Sequence, residues 1–538
     1  MRKILNYSIL SLLYLSSTTF CEESYYKVRF YKRFIQDAFQ KNLRNIFEQS
    51  QDFQVKDIYL KDLGTKMTSV QVQVFPKDYN YASSEVEVFF DEGQILLEMH
   101  DLYVGGSGLI VDPENGNIEN VTFTAPIKTG QIFITPSETI RHSELYPKFM
   151  IDEVNIVIDE ASIIATAHGK TPLFKTQKFE DAIKNWLHSE TKSIKESIKN
   201  KLIDIENTLM DKIPYSFTNF GHTFIYSLAD KIKLKEEYLE ISFTSELEGV
   251  DHGEFSEKLR KIYPQFTDVE GWKQDIQMVF DENFLNHMFL SLFHTNTVFS
   301  FRDIAMKMIP AKYQNTALLI SNLLMTTTLY PIVPDIVKEF EHGKLVDLRC
   351  GFSKSFLSDK IDSSDLSPSQ VWFRDTNKIE FNSAFGCGVF VYIGKYNPFS
   401  PSKLVDKYWK NWRSFFFQGK GWADVSIYEG RFYDETRVKF LDGKLDINQF
   451  KIYKGEQEQV EEEESYKKWA AEQFDQLLSK EDDHDYRFMS HPSFLDCLGI
   501  KPESPKIEIK EGFIRASYAL DVQSADQDCL LNKKTRLH

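Results

Sequence analysis

The most constraining feature of this chain is that part of it occurs twice. The segment Lys231-Ile-Lys-Leu-Lys-Glu-Glu-Tyr-Leu-Glu-Ile-Ser-Phe lies without a gap over Lys506-Ile-Glu-Ile-Lys-Glu-Gly-Phe-Ile-Arg-Ala-Ser-Tyr, an offset of 275 residues (Lys231 to Lys506) in a chain of 538. Lys231, Ile232, Lys235, Glu236 and Ser242 recur as Lys506, Ile507, Lys510, Glu511 and Ser517, and apolar class is kept at Leu234/Ile509, Tyr238/Phe513, Leu239/Ile514 and Phe243/Tyr518. Both segments read as amphipathic hairpins, alternating on a period of two. Each follows an amphipathic helix and a proline-marked break, so the repeat implies two similar halves, each too large for a single hairpin core.

The elements between the repeats keep the same order. From Tyr25 to Phe47 the apolar positions Phe34, Ile35, Ala38, Phe39, Leu43, Ile46 and Phe47 have helical spacing. A strand meander follows, with alternation at Val70, Val72 and Val74, at Val86 and Val88, at Ile132 and Ile134, and at Val154, Ile156 and Ile158. Its expected breaks are Pro76-Lys77-Asp78, Asp91-Glu92-Gly93, Asp112 to Gly116, Pro126 and Pro136. A long helix from about Phe179 to Met210 carries Ile183, Trp186, Leu187, Ile194, Ile198, Leu202, Ile205 and Leu209 on one stripe and ends at Lys212-Ile213-Pro214. The second half opens with a helix bearing Phe284, Leu285, Met288, Phe289, Leu292 and Phe293 and continues through a strand-rich body. The acidic run Glu461 to Glu464 then leads a helix bearing Trp469, Phe474, Leu477 and Leu478, where the helix dipole favours negative charge.

Targeting and partners are bounded by the ends of the composition. Arg2 and Lys3 before the apolar stretch Ile4 to Leu15 read as a secretory signal peptide spanning residues 1–21. The remaining cysteines, Cys350, Cys387, Cys497 and Cys529, form an even set that suits two disulfides in an oxidising compartment; nearest-neighbour pairing is one of three connectivities. Asn120-Val121-Thr122 is a glycosylation sequon for a secreted chain. A net charge of −16 argues against nucleic acid and against strong capture by anionic membranes.

No enzyme motif is complete. Gly105-Gly106-Ser107-Gly108 lacks the second required glycine of a nucleophile elbow, because Leu109 occupies it. Gly386-x-Gly388 has Val391 where a third glycine would stand, and there is no His-Glu-x-x-His. His484, His491 and the nearby aspartates read as a polar loop, so no catalytic residue, cofactor or metal is expected. A lipid hydrolase using Ser107 is the lesser enzymatic alternative. The dense aromatic segment Trp409, Trp412, Phe415, Phe416, Phe417 and Trp422 reads as core, with a membrane-touching loop as the alternative.

Phe280-Asp-Glu-Asn-Phe-Leu-Asn-His-Met-Phe-Leu-Ser-Leu-Phe, running on to Val298-Phe299-Ser300-Phe301 and Met308-Ile309-Pro310, resembles the opening of the C-terminal half of the family of bactericidal/permeability-increasing protein, lipopolysaccharide-binding protein and cholesteryl ester transfer protein. Tyr330-Pro331-Ile332-Val333-Pro334, followed by Gly343-Lys344-Leu345, resembles a proline-flanked strand and turn of the same family. The resemblance implies an α+β fold: two pseudo-symmetric barrels, each a twisted antiparallel sheet around a long helix, joined by a central antiparallel sheet in a boomerang. It implies an N-terminal lipid-binding barrel over 22–225, a central-sheet segment and linker over 226–270, a C-terminal barrel over 271–500, and a return hairpin and tail over 501–538. The duplicated hairpins would be central-sheet strands from the two halves. Two departures stand out: no cysteine occurs between Cys21 and Cys350, and the chain is acidic where lipopolysaccharide binders carry a cationic tip. These leave lipopolysaccharide open and favour neutral or zwitterionic lipid.

The function implied is a secreted lipid-binding protein, with lipid transfer as an extension, that works outside the cell or in the lumen of the secretory pathway, sequesters the acyl chains of phospholipid or another acyl-chain lipid in apolar pockets and touches membranes transiently. Lining candidates are Phe34, Ile35, Phe39, Ile183, Trp186, Leu187 and Ile198 in the first pocket, and Phe284, Met288, Leu292, Trp469 and Phe474 in the second. A secreted binding or adhesion module without lipid cargo, burying the same faces in solid core, is the alternative.

Overall fold

The computed structural model describes residues 26–48, 53–55, 57–76, 86–91, 93–141, 144–212, 216–219, 222–247, 264–295, 298–300, 325–326, 335–357, 367–395, 406–429, 435–478, 485–490 and 500–523. Strand β1 (Tyr26–Tyr31) leads directly into helix α1 (Lys32–Glu48). The strands β2 (Phe53–Val55), β3 (Ile58–Leu60), β4 (Thr65–Pro76), β5 (Val86–Asp91), β6 (Gln94–Met99), β7 (Leu102–Val111), β8 (Ile118–Arg141), β9 (Glu144–Ile158) and β10 (Ile164–Ala167) then build a nine-stranded antiparallel sheet. Helix α2 (Gln177–Lys212) lies against it. Strands β11 (Ser216–Asn219), β12 (His222–Leu228), β13 (Lys233–Leu234) and β14 (Tyr238–Leu247) complete the first half.

The second half repeats the order. Strand β15 (Ile276–Asp281) leads into α3 (Asn283–His294). Helices α4 (Asp335–Phe340) and α5 (Lys354–Leu357) accompany an eight-stranded sheet of β16 (Val298–Ser300), β17 (Val346–Gly351), β18 (Gln370–Arg374), β19 (Lys378–Tyr392), β20 (Trp409–Glu429), β21 (Glu435–Lys454), β22 (Gln457–Glu458) and β23 (Asp485–Ser490). Helix α6 (Val460–Leu478) packs on β21, and β24 (Ile500–Lys510) and β25 (Phe513–Val522) form the return hairpin. The fold class is α+β.

A third sheet joins the halves in the order β11-β12-β14-β1-β15-β25-β24, with β13 on β14. Its register reproduces the sequence repeat residue for residue. Lys233 and Leu234 face Glu240 and Leu239, while Glu508 and Ile509, their counterparts 275 positions later, face Arg515 and Ile514. The first strands are equivalent too, at an offset of 250 (Tyr26 to Ile276). Ser242 lies opposite Lys27 and Ser517 opposite Gln277. The amide of Lys32 donates to Glu237 O at 2.8 Å, and that of Glu282 donates to Gly512 O at 2.8 Å. Val28 pairs with Met278 at the centre of the β1–β15 ladder, so the pseudo-twofold axis passes through that pair.

The central sheet is amphipathic because its strands alternate. One face carries Val28, Phe30, Leu239, Ile241, Met278, Phe280, Ile514 and Ala516; register places Lys27, Arg29, Glu240, Gln277, Arg515 and Ser517 on the other. The segment 264–275 crosses that polar face. Arg29 bonds Asp268 at 2.9 Å and Glu240 at 3.3 Å and lies over the rings of Tyr238 and Phe266. Arg515 donates to Gln265 O, and the Ser517 hydroxyl donates to Trp272 O. The apolar face looks toward the helices: Phe30 and Ile276 pack with Phe34, Ile35 and Ala38 of α1, and Phe280 and Ile514 with Leu285, Phe289 and Leu292 of α3.

Three expectations are corrected. Residues 26–31, expected to begin the first helix, form a strand, because Tyr26, Val28 and Phe30 alternate with Lys27, Arg29 and Tyr31 and both flanking strands pair with them. Pro126 and Pro136 do not break the meander; both lie inside β8. Pro126 sits where β8 exchanges its pairing with β10 for pairing with β9, and Pro136 lies beyond the last residue paired to β6, so neither position needs a second ladder partner. The barrels are not closed: among the described residues each large sheet ends in open edges. In the first half α1 packs against both β4 and β5, which stand near opposite ends of the sheet order, and so covers the gap that a closing strand would fill.

Candidate functional site: an apolar seam beneath helix α1

The two predicted sets of lining residues separate in the structure. On α2, Ile183, Trp186, Leu187 and Ile198 are buried in the large first-half core with the inward residues of β4, β7, β8 and β9. Ile183 and Leu187 are both 0% exposed, and Trp186 meets Phe123 edge-on at 5.3 Å. Protein atoms surround these side chains. On α1, Phe34 is buried, whereas Ile35, Ala38 and Phe39 are only half-buried. Ile35 touches the large core, the Phe34/Val522 cluster and the Leu239/Ile241 cluster at once, which places it where three packing units meet.

Around that point the opposing apolar side chains are half-buried as well. Phe30 and Phe243 come from the central sheet, and Phe149 and Ile151 from β9. The ring of Tyr26 stacks between Phe243 and Phe280, with centroids 5.9 Å away on each side, along the same apolar face. Phe30 and Phe34 stack at 6.0 Å. Ile35, Phe30, Phe149 and Phe243 thus share one partly covered apolar region, here called the seam, where α1, the central sheet and β9 meet. Helix α1 is fastened across it by Gln40, whose side-chain carbonyl accepts from the Val86 amide of edge strand β5 at 2.7 Å. The Lys32 ammonium lies 5.0 Å from the Phe89 ring on the same strand.

The equivalent place in the second half is packed differently. Phe34, Ile35 and Phe39 correspond, 250 positions on, to Phe284, Leu285 and Phe289. Leu285, Phe289, Leu292 and Phe293 are all at most 9% exposed. The Asn286 amide clamps the backbone of β18, donating to Val371 O at 2.9 Å and accepting from Val371 N at 2.7 Å. Glu282 accepts from the Phe373 amide at 2.7 Å. These bonds satisfy the open edge of β18 and draw α3 against the sheet. Leu292 is thus core; Trp469 is half-buried on α6; Phe284, Met288 and Phe474 lie outside the described side chains.

The other marked positions fall as follows. Cys350 and Cys387 are joined by a disulfide between β17 and β19, whereas Cys497 and Cys529 lie outside the described residues, as do residues 1–21 and His484 and His491. Asn120 is exposed on β8. The aromatic segment from Trp409 is strand β20, with Trp412, Phe416 and Phe417 buried. Gly105 to Gly108 lie within β7; a Cβ at Gly106 would stand 2.2 Å from Gln71 O, so glycine allows a close approach to the bulged β4. Glu462 of the acidic run pairs with buried Arg413, and burial pushes the Glu463 carboxyl up. Sequence reasoning missed one group with metal-ligand chemistry: Glu87 and Glu98, directly opposite on β5 and β6, with His100 nearby, all offering donor atoms within 4.8 Å of one another. Only hairpin register brings those glutamates together.

No helix among the described residues is long and apolar enough to cross a membrane. No family model and no curated protein sequence matches the chain. Among solved structures it is similar to the crystal structure of lipopolysaccharide binding protein, with a TM-score of 0.41 and 12% identity over 93% of this chain and 99% of that one. It is also similar to Takeout 1 of Epiphyas postvittana, with a TM-score of 0.16 and 12% identity over 31% of this chain and 87% of that one.

Proposed function

We propose that this protein is a secreted lipid-binding protein that takes the acyl chains of a phospholipid into the seam beneath α1, with Phe34, Ile35 and Phe39 on the helix side. The observation that carries the reading is the half-burial of Ile35 where it packs on the Leu239/Ile241 cluster beside the equally half-buried Phe30, Phe149 and Phe243. Partly covered apolar side chains from three elements offer surface that a hydrocarbon chain would cover. Burying one methylene is worth about 0.8 kcal/mol, so two long acyl chains represent on the order of 20 kcal/mol against water. A slot that matches the bilayer interior makes loading and unloading nearly balanced and needs no bond chemistry. The bonds of Asn286 and Glu282 hold α3 against β18, so the expected stoichiometry is one lipid per chain. An exposed sequon at Asn120 and the Cys350–Cys387 disulfide support passage through an oxidising secretory compartment.

Organic extraction of the purified secreted protein, followed by mass spectrometry, tests the proposal. The expected result is phospholipid at close to one molecule per chain. Protein free of lipid would establish the binding-module alternative, and two lipids per chain would show that the second half opens as well.

A further inference from the structure

The β8–β9 ribbon extends beyond β6, whose pairing with β8 stops at Ile134. From there to the turn the two strands pair without a register shift, so alternate cross-strand pairs share one face: Ile134/Ile151, Pro136/Phe149, Glu138/Pro147 and Ile140/Leu145. Burial falls steadily along that face. Ile134 is 5% exposed within the large core, Pro136, Phe149 and Ile151 are half-buried at the seam, and Ile140 and Leu145 are 72% and 41% exposed at the tip. An exposed isoleucine and leucine directly opposite each other, on the same face as a buried apolar track and separated from it only by the Glu138/Pro147 pair, are unlike scattered surface hydrophobes.

We infer that this ribbon is the membrane-contacting entrance of the protein: Ile140 and Leu145 dip into a lipid surface, and the acyl chain follows the apolar face past Phe149 into the seam. The inference rests on the lipid-binding reading and adds where and against what the site opens. The partner is a neutral or zwitterionic bilayer surface. In the sequence from Glu138 to Lys148 the two acids, Glu138 and Glu144, are matched by Arg141 and Lys148, and the chain carries a net −16, which opposes capture by an anionic surface.

The test compares the full-length protein with the double variant Ile140→Ser/Leu145→Ser in flotation with phosphatidylcholine vesicles. Val157→Ser, an exposed position on the same strand away from the track, is the control. The expected result is flotation of the wild-type and control proteins, and partitioning of the double variant lower by roughly tenfold or more. Because both altered side chains are solvent-exposed, the melting temperature and the lipid extracted from the double variant stay at wild-type levels. Equal flotation of wild type and double variant overturns the entrance, as does a wild-type protein that does not float. Absence of extractable lipid from wild type is separate, and removes the lipid-binding reading itself.

Discussion

Replacing Ala38 with methionine distinguishes an open seam from a filled one by the sign of its effect. Ala38 is half-buried on α1 beside Phe34, Phe30, Ile276 and Val522, and its counterpart in the second half is Met288. Methionine adds three heavy atoms, each about the size of a methylene, and its unbranched chain adapts to irregular space. If the space beneath α1 admits an acyl chain, those atoms occupy part of it. Delipidated Ala38→Met then gains up to about 2 kcal/mol of apolar burial, at about 0.8 kcal/mol per group, and melts at a higher temperature than delipidated wild type. The lipid loses the same contacts, so affinity for a fluorescent phosphatidylcholine falls by about 30-fold. If the space is already filled, the side chain overpacks it, stability falls by about 1–3 kcal/mol, and lipid affinity does not drop selectively. A lower melting temperature with unchanged lipid affinity would show that the space beneath α1 is already filled.

Further measurements check the frame around the seam. Leu187→Ala, at a fully buried position of α2, should cost about 2–5 kcal/mol in chemical denaturation, because neighbours on rigid strands cannot collapse into the cavity. Thr171→Val should cost about 1–3 kcal/mol, because the Thr171 hydroxyl donates to buried Glu119 at 2.6 Å and its loss leaves that carboxylate one donor short. The Thr171 hydroxyl holds the Glu119 carboxyl below its usual range, and the Glu114 amide does the same for Asp112. Folded values lowered in this way contribute stability in full above about pH 5 and lose it as pH falls through them, so acid melting of Glu119→Gln should be shallower than that of wild type. Replacing Cys350 and Cys387 by alanine opens a loop with a sequence separation of 37 and should cost about 4 kcal/mol in the chain-entropy model, read from denaturant midpoints.

What the sequence made legible was whatever depends on period and register. The hairpins at Lys231 and Lys506 stood out because strand alternation and a short turn fix every side chain relative to its partner, and the structure keeps the same pairs in both. The second match, of β1 and α1 to β15 and α3, was present in Phe30/Phe280, Phe34/Phe284 and Phe39/Phe289 but lies at an offset of 250 instead of 275. The unequal length between first strand and hairpin hid it from a single alignment shift. The seam was half legible. Helical spacing of Phe34, Ile35 and Phe39 shows that one face of α1 meets apolar matter, and the stripe of Ile183, Leu187 and Ile198 shows the same for α2. Periodicity is blind to what separates them: protein atoms enclose Leu187, whereas Ile35 stands at the meeting of three clusters and stays half-covered. The clamp of Asn286 on Val371 was likewise invisible, because its partner is a backbone 85 positions away.

The order of strands in the central sheet has a consequence for how the chain is made. Strand β1 is synthesised first among the described elements, yet it hydrogen-bonds to β14 and β15, and β15 bonds in turn to β25. During translation β1 therefore waits without its strand partners while more than two hundred residues emerge, and the sheet gains its last pairs only when residues beyond Phe513 leave the ribosome. Every nascent intermediate exposes a sticky ribbon of backbone with an oily side, a state prone to pairing with a neighbouring chain. Yield of soluble protein should consequently depend on chaperone supply and growth temperature more than the stability of the finished molecule would suggest.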